Sequence, residues 1–234
     1  MQLVTLIVMV YFWRAVFENR TDVAGQSLEQ TLNYILITRL IAGFADTGLI
    51  QNFGRLLYKG DFSIELLRPL DFQMNQLAQV VSGWLTQLIL RWPLVPLALL
   101  FGLHLPSSPA VYLAFVLSVT LGALVLFFFD YLLACVTFLT LEVWGLSVMR
   151  QGLANFLSGA LIPLTLMPDW LRLICEVVPF SQAIFVPAAI LSGTLPLERV
   201  PAALGVQLLW LIGLWLLSRA VFSRAIRKVT VQGG

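Results

Sequence analysis

The sequence predicts an all-α polytopic membrane protein, and two observations support this fold class. Of the 234 residues, 59% are hydrophobic and 11% are charged, whereas about a quarter of the residues of a soluble domain are charged. The apolar residues also form runs long enough for a helix to cross a bilayer, which takes about 20 residues. We therefore expect a single transmembrane domain over residues 1–234, with six membrane-spanning helices.

Six apolar runs define the expected spans. They cover about 2–17, 32–53, 77–103, 111–141, 152–166 and 202–222. The first run has about a dozen apolar residues before Arg14, fewer than the roughly 20 that a span needs, so we expect the natural chain or its first span to begin upstream of Met1. Arg91-Trp92-Pro93 interrupts the third run, which is tolerated where neighbouring helices satisfy the freed carbonyl groups.

Residues 168–201 follow a different pattern from the rest of the chain. Prolines separate two apolar stretches here, and each stretch is too short to cross a membrane. The prolines are Pro168, Pro179, Pro187, Pro196 and Pro201. We expect two short helices that enter the membrane and leave it on the same face, which is a re-entrant helical hairpin.

Residues 59–71, with the sequence KGDFSIELLRPLD, form a dense polar passage between two apolar runs. The charged residues that must lie in water here are Lys59, Asp61, Glu65, Arg68 and Asp71. Asp61 is a suitable N-cap for a short helix. Pro69 ends that helix, because proline lacks an N–H and restricts the residue before it. The sequence therefore predicts a short, water-exposed helix over about 61–70.

The predicted helix at 61–70 is amphipathic. Phe62, Leu66 and Leu70 recur every four residues and form one apolar stripe. Glu65 and Arg68 stand three residues apart and can pair on the opposite side. Such a helix can dock in a cleft of a soluble partner or lie on the lipid surface, and the stripe alone is compatible with both. We interpret it as a docking element.

Counts of arginine and lysine in the loops give the orientation, because cytoplasmic loops carry the excess of these residues. The side with the 59–71 segment has eight of them, namely Arg55, Lys59, Arg68, Arg150, Arg219, Arg224, Arg227 and Lys228. The other side has three, namely Arg20, Arg172 and Arg199. We therefore place the 59–71 segment and both termini in the cytoplasm, the 168–201 hairpin outside, and the multi-pass protein in the inner (plasma) membrane.

Four charged residues fall at membrane depth, namely Arg39, Asp46, Arg91 and Asp130. Charged groups in a bilayer are costly and often functional. The alternatives are a structural ion pair between spans or an arginine that extends to the headgroups. Arg39 and Asp46 are seven residues apart and would share a helix face after two turns. Which arginine meets which aspartate stays open.

Several classes of activity are excluded by composition. The only lysines are Lys59 and Lys228, and neither lies in a G-x-x-x-x-G-K-[ST] phosphate-binding loop, so the chain cannot hydrolyse ATP by that route. Cys135, Cys175 and a single histidine do not make a metal-ligand set. The net charge of +2 gives no case for nucleic-acid binding. Energy for any transport must come from a partner chain or an ion gradient.

Two stretches resemble a known family. GDFSIELLRPL at 60–70 and FLSGALIPLTLMPDWLRLICEVVPFSQAIFVPAAILSG at 156–193 are similar to the ABC-2 type transporter permeases, in their DUF990-like branch. The similarity covers about residues 10–225, with six spans, a short cytoplasmic helix after span two and a pair of short outer helices. Members of that branch begin with a basic amphipathic helix before a full first span, a feature that this sequence lacks.

The resemblance implies a partner and a role for each of the two stretches. Residues 61–70 would be the coupling helix that docks in a separate cytoplasmic ABC ATPase, with the apolar stripe supplying buried contacts. The residues assigned to this docking are Asp61, Phe62, Glu65, Leu66, Leu67, Arg68, Pro69 and Leu70. ATP and Mg²⁺ would bind to the ATPase, with no cofactor on this chain. A second permease chain, identical or homologous, would complete the unit, and the outer hairpin would help close the extracellular end.

The sequence is compatible with two functions. The first is the membrane subunit of an ABC-2 type exporter that moves an amphiphilic or hydrophobic substrate, since nothing in the sequence forms a strongly charged pocket. The alternative is an ion-coupled secondary transporter or channel that uses Arg39, Asp46, Arg91 and Asp130 as its relay. No inverted sequence repeat is apparent, which counts against a carrier built from two similar halves.

Overall fold

A computed structural model of the chain describes residues 2–18, 20, 22–23, 25–140 and 142–229. Met1 and residues 230–234 lie outside the described residues. The expectation that the natural chain or its first span begins upstream of Met1 therefore also lies outside them. The helices found in the described residues are α1 (Gln2–Val16), α2 (Leu28–Ile41), α3 (Leu49–Lys59), α4 (Phe62–Leu66), α5 (Phe72–Arg91), α6 (Leu94–Leu100), α7 (Pro109–Thr140), α8 (Trp144–Leu157), α9 (Asp169–Val177), α10 (Pro179–Ala183), α11 (Phe185–Leu191) and α12 (Val200–Val229). Short 3₁₀ turns lie at Ala42–Ala45, Leu164–Leu166 and Leu197–Arg199.

A small β-hairpin joins α1 to α2. Strands β1 (Asp22–Val23) and β2 (Gln26–Ser27) pair antiparallel. Ser27 then caps α2, because its hydroxyl accepts a hydrogen bond from the backbone N–H of Gln30 and the Gln30 side chain accepts one from the backbone of Ser27. The polar loop between the first two predicted spans therefore contains a turn and a helix start.

Helix α7 is the centre of the fold. It has 32 residues, and α3, α10, α11 and α12 all pack against it. A helix that is apolar on every side is buried by its neighbours, and side chains such as Val125, Phe127, Tyr131 and Ala134 are fully or almost fully buried. The other elements are therefore positioned relative to α7.

The all-α membrane class is confirmed, whereas the count of six spans stays a prediction. Among the described residues, Pro109–Phe138 and Leu197–Ile226 are long and apolar enough to cross a bilayer on their own. Two bent helix pairs also qualify if each is one span: α5 with α6, which bend by 48°, and α9 with the stretch from Pro179 to Leu191, which bend by 71°. Helix α1 is apolar but shorter. The bend between α5 and α6 lies at the predicted interruption at Trp92 and Pro93.

Two helices and a turn occupy the range 32–53, which was predicted as one helix. Helix α2 ends at Ile41 and α3 begins at Leu49. Between them, Gly48 has a left-handed φ of 62°, and its N–H donates a hydrogen bond of 3.2 Å to the Asp46 carboxylate. Glycine adopts this conformation without strain. Arg39 and Asp46 therefore do not share one continuous helix face.

The second half of the chain also differs from the predicted boundaries. Helix α8 begins at Trp144 and ends at Leu157, so it covers only the first part of the range 152–166. The chain then turns at Gly159, which has a φ of 76°. Residues 168–201 contain three short helices, α9 to α11, where two were predicted, and the sharp bend lies at Val178, immediately before Pro179. Asp169 is the first helical residue after Pro168.

Candidate functional site

The 59–71 segment is a tight connection between α3 and α5. Gly60 ends α3 with a left-handed φ of 73°, and α4 extends only from Phe62 to Leu66. The predicted helix over 61–70 is thus shorter, and it stops before Pro69 can end it. Asp61 occupies the N-cap position, but its side chain makes no capping hydrogen bond. Asp71 caps α5 by accepting a hydrogen bond of 3.0 Å from the N–H of Met74.

Phe62 holds this segment to the protein's own core. Its side chain is 2% exposed, and its ring lies 6.5 Å from that of Phe53, 5.2 Å from Phe72 and 4.8 Å from Phe138, measured between centroids. We call Phe53, Phe62, Phe72 and Phe138 the aromatic cluster. The structure therefore makes Phe62 a contact within the chain, in contrast to its predicted place on a stripe that faces a partner.

The exposed apolar surface of the 59–71 segment comprises three other side chains. Ile64 is 62% exposed, Leu67 is 83% exposed and Leu70 is 66% exposed, whereas Leu66 packs partly against the core around Phe53. The predicted stripe of period four does not extend past Leu66, because the helix ends there.

The polar side of the segment contains the expected ion pair. Arg68 Nη2 lies 2.8 Å from Glu65 Oε1, and Glu65 also accepts a hydrogen bond of 3.3 Å from the Asn75 side chain at the start of α5. Glu65 is the more shielded partner, with Arg68 about half exposed. The pair therefore helps to fix the return of the chain from α4 into α5.

The end of the segment is tied to α12. Arg219 forms an ion pair with Asp71, and Gln73 Nε2 donates a hydrogen bond of 2.7 Å to Ser218 Oγ. The ring of Phe72 stacks on that of Phe222, with centroids 5.2 Å apart. Burial raises the pKa of Asp71, but the hydrogen bond and charge of Arg219 and the hydrogen bonds from backbone N–H groups outweigh this, so its pKa is below the ordinary value.

The Asp71–Arg219 pair predicts a pH-dependent contribution to stability. Because the pKa of Asp71 is lower in the folded chain, the pair stabilises fully above the unfolded-state pKa, and the contribution is lost as the pH falls through the folded-state pKa. We expect Asp71→Asn to lower the thermal unfolding midpoint at neutral pH, by the equivalent of about 1 kcal/mol or less for this exposed pair. The difference from wild type should vanish at acidic pH.

The measurement is thermal unfolding of the detergent-solubilised protein over a pH series. Asp169→Asn is the matched control, since Asp169 is a carboxylate at the start of another helix. A difference between wild type and Asp71→Asn that stays constant from neutral to acidic pH would contradict the assignment.

The charged group at the centre of the fold is Asp130, and its partner is Arg150. Arg150 Nε lies 2.8 Å from Asp130 Oδ1, and its Nη2 lies 2.8 Å from Oδ2. Thr47 donates a further hydrogen bond of 2.6 Å to Asp130, and Arg150 donates one of 2.5 Å to the carbonyl of Ala45. Asp130 is 2% exposed and Arg150 is 6% exposed. The pair thus joins α7, α8 and the turn between α2 and α3.

Arg150 is the residue whose role the sequence reasoning missed. It was counted among the water-exposed charges of a cytoplasmic loop, but it lies inside α8 and is buried. Without Arg150, the side with the 59–71 segment still has more loop arginine and lysine residues than the other side. The signal that could have revealed it is Asp130 itself, because a carboxylate within a long apolar helix requires a cationic partner.

Among the described residues, the other three predicted intramembrane charges make no hydrogen bond or ion pair with Asp130. Arg39 Nη2 donates to the carbonyl of Ala160 at 3.1 Å. Arg91 Nη1 donates to the carbonyl of Arg39 at 2.7 Å. Both arginines thus bind backbone carbonyls, and Asp46 accepts from Gly48 in the turn before α3. Within the part of the chain that is described, the ion pair of Asp130 is with Arg150 alone.

Long apolar helices and an ion pair inside the helix bundle define this chain as a multi-pass α-helical membrane protein. Residues 3–233 match the family model described as ABC-2 family transporter protein. The chain therefore belongs to the ABC-2 transporter family and is a permease of an ABC-type transporter, which confirms the resemblance. Such permeases are transport subunits that generally lack an ATPase site and work with an ATPase partner. No curated protein and no solved structure matches the chain.

Proposed function

We propose that this permease belongs to an exporter and receives its ATPase at the 59–71 segment. The observation that carries the proposal is the exposed apolar surface of Ile64, Leu67 and Leu70 on a segment that Phe62 fixes to the core. An exposed apolar patch rimmed by charged side chains is typical of a protein contact, and Glu65 with Arg68 supplies such charges.

The small apolar face of α4 favours a protein partner over a lipid surface. Helices that lie in the membrane interface bind through a large apolar face, whereas α4 has 5 residues and Ile64 is its one exposed large apolar side chain. Three side chains on so short an element give little area for lipid, but they are sufficient to fill a cleft. The residues assigned to docking from the sequence stay part of this proposal, with one change in role. Phe62 is buried, so it would hold the segment in place and would not contact the ATPase itself.

The proposed topology has six spans, with the 59–71 segment and both termini in the cytoplasm and the 168–201 hairpin re-entrant from outside, in the inner membrane. The depth that the hairpin reaches along α7 and α12 supports its re-entrant placement. Gly122 of α7 meets the backbone of Gln182 and Ala183, and it lies 13 residues beyond Pro109, about 20 Å along the helix. Trp210 Nε1 also donates to the carbonyl of Val177 at 2.8 Å, so the bend of the hairpin meets α12 well inside its length.

In the proposed mechanism, ATP and Mg²⁺ bind to the ATPase pair, whose closure moves the 59–71 segments of two permease chains. These chains are identical or homologous. Helices α3 and α5 enter and leave the segment, so they would be displaced with it. The aromatic cluster and the Phe72–Phe222 stack connect the segment to α7 and α12. An amphiphilic or hydrophobic substrate would then cross the membrane as the permease changes between inward- and outward-facing states. The hairpin would close the outer end of the substrate path.

The docking proposal predicts that Leu67→Asp combined with Leu70→Asp separates the permease from its ATPase. Burying a leucine side chain is worth about 1.5–3 kcal/mol, so the double variant should weaken binding by about 100-fold or more. The measurement is co-purification of the ABC ATPase with tagged permease from native membranes.

The control is Leu105→Asp, because Leu105 is similarly apolar and exposed but lies in the loop between α6 and α7, on the proposed outer side. It should retain the ATPase. Full recovery of the ATPase with the double variant would overturn the docking assignment.

A further inference from the structure

Two cavities share α5 as a wall, one with residues 76–83 in its lining and the other with Trp84 and Leu88. The first, which we call the polar pocket, has a volume of about 360 Å³ and lies between α3, α5 and the turn before α3. Four of its lining side chains, Gln51, Asn52, Gln76 and Gln79, carry amides. Amides both donate and accept hydrogen bonds, so this pocket suits a ligand with many hydroxyl or amide groups.

The charges of the polar pocket balance. Its lining includes one guanidinium, that of Arg55, and one carboxylate, that of Asp46. Arg55 donates a hydrogen bond of 2.5 Å to Asn52, so its charge is partly engaged. Phosphate and carboxylate groups are bound by clustered arginine and lysine with bidentate geometry. One cation beside one anion favours a head group without net charge.

The second cavity, which we call the apolar groove, has a volume of about 460 Å³. It lies between α2, α5 and α7, with Leu191 of α11 at its edge. Its lining is apolar except for Thr120, and it includes Ile37, Leu88 and Val119. A groove of this composition within apolar helices accepts a hydrocarbon chain.

Phe44 and Trp84 are the groove-lining residues that lie nearest along the chain to residues of the polar pocket. Both line the groove, and their rings lie 6.2 Å apart between centroids. Asp46 and Gly83 line the polar pocket and lie two residues and one residue away from these aromatics along the chain. One extended molecule can therefore occupy both cavities by passing the aromatic pair.

Two buried donors beside these cavities have no acceptor. Gln76 is 1% exposed and Trp84 is 8% exposed, and neither Gln76 Nε2 nor Trp84 Nε1 has a hydrogen-bond partner among the described residues. Leaving such a group unsatisfied costs about 1–3 kcal/mol. If either side chain turned toward the cavity that it lines, a ligand with hydroxyl or carbonyl oxygens would supply the missing acceptor.

We infer that the polar pocket and the apolar groove together bind one single-chain amphiphile, with an uncharged, hydroxyl- or amide-rich head in the pocket and its hydrocarbon chain in the groove. This rests on the proposed function, because it names the substrate class of the permease. The pocket walls, α3 and α5, are also the two helices that lead into and out of the 59–71 segment. A movement of that segment therefore displaces the walls of the pocket.

The test uses purified permease in phosphatidylcholine nanodiscs without any ATPase. The probes are a glucosyl monoacylglycerol and a lysophosphatidylglycerol with the same brominated chain, since bromine quenches nearby tryptophan fluorescence. The signal of Trp84 is obtained as the difference between wild type and Trp84→Phe. We expect the glucosyl lipid to quench it at a concentration at least about tenfold lower than the anionic lipid does.

Two variants separate the head site from the chain site. Gln79→Leu removes a pocket amide that is exposed, and it should raise the concentration of glucosyl lipid needed by about tenfold, the equivalent of one hydrogen bond. Thr120→Phe fills the groove from an exposed position without adding a second tryptophan, and it should abolish quenching of Trp84 by both lipids. Gln151→Leu, an exposed amide on α8 outside both cavities, is the control and should match wild type.

Equal quenching by the two lipids would overturn the inference, because it would show filling of the groove by any bilayer chain. An unchanged response in Gln79→Leu would overturn the head site. Since the sample contains no ATPase, neither result depends on docking at Leu67 and Leu70, and failure of this inference is distinguishable from failure of the proposed coupling.

Discussion

Replacement of Arg150 by methionine is expected to destabilise the permease by about 3–5 kcal/mol, the cost of removing one partner from a buried ion pair. Asp130 is 2% exposed, and it would keep only the hydrogen bond from Thr47. The carbonyl of Ala45 would also lose its donor. The unfolding midpoint of the detergent-solubilised variant should fall accordingly.

A double variant and a surface control make this expectation specific. In Asp130→Leu with Arg150→Met, no charge remains buried, so most of the stability should return. Arg172→Met is the control, because Arg172 forms an exposed pair with Glu176 at 2.7 Å, and exposed pairs contribute about 1 kcal/mol or less. Equal losses in Arg150→Met and Arg172→Met would show that the buried pair does not hold α7, α8 and the turn together.

Gly122→Ala is the second substitution with a large expected effect. A Cβ atom at this position would lie 2.6 Å from Ala183 Cα and 2.6 Å from the carbonyl oxygen of Gln182. Both are backbone atoms, so α10 would have to move away from α7. Overpacking of this kind costs about 1–3 kcal/mol or more, and the loss of the contact between Gln207 and the Gln182 carbonyl, now 2.6 Å, would add to it.

Gly205→Ala is the matched control for Gly122→Ala. Gly205 lies in α12, and nothing is within 4 Å of the position that its Cβ would take. Alanine is a better helix former than glycine by up to about 1 kcal/mol, so this variant should keep or raise the unfolding midpoint. If both alanine variants unfold at the wild-type midpoint, α10 does not pack closely on Gly122.

The long elements of the fold could be predicted from hydropathy, whereas the short breaks could not. The apolar runs that became α7 and α12 exceed the length of a span, so their identity follows from composition alone. The break between α2 and α3 depends on one turn at Asp46-Thr47-Gly48. Three residues barely change the mean hydropathy of a run, so only their turn chemistry marks the break.

In the candidate site, local contacts were predictable and distant ones were not. The Glu65–Arg68 pair follows from a spacing of three residues on one helix. The burial of Phe62 depends on Phe138, which belongs to a helix much later in the chain. The Asp130–Arg150 pair likewise joins two helices across a break. Neither contact leaves a periodic pattern, because each is set by how the helices assemble.

The aromatic cluster also has a mechanical consequence. If the 59–71 segment moved alone, it would expose Phe62, and exposing a buried phenylalanine costs about 1.5–3 kcal/mol. The segment, the end of α7 near Phe138 and the part of α12 around Phe222 should therefore be displaced as one rigid body. We expect its hinges at the nearby interruptions of the helices, at Asp46–Gly48 and at Trp92-Pro93.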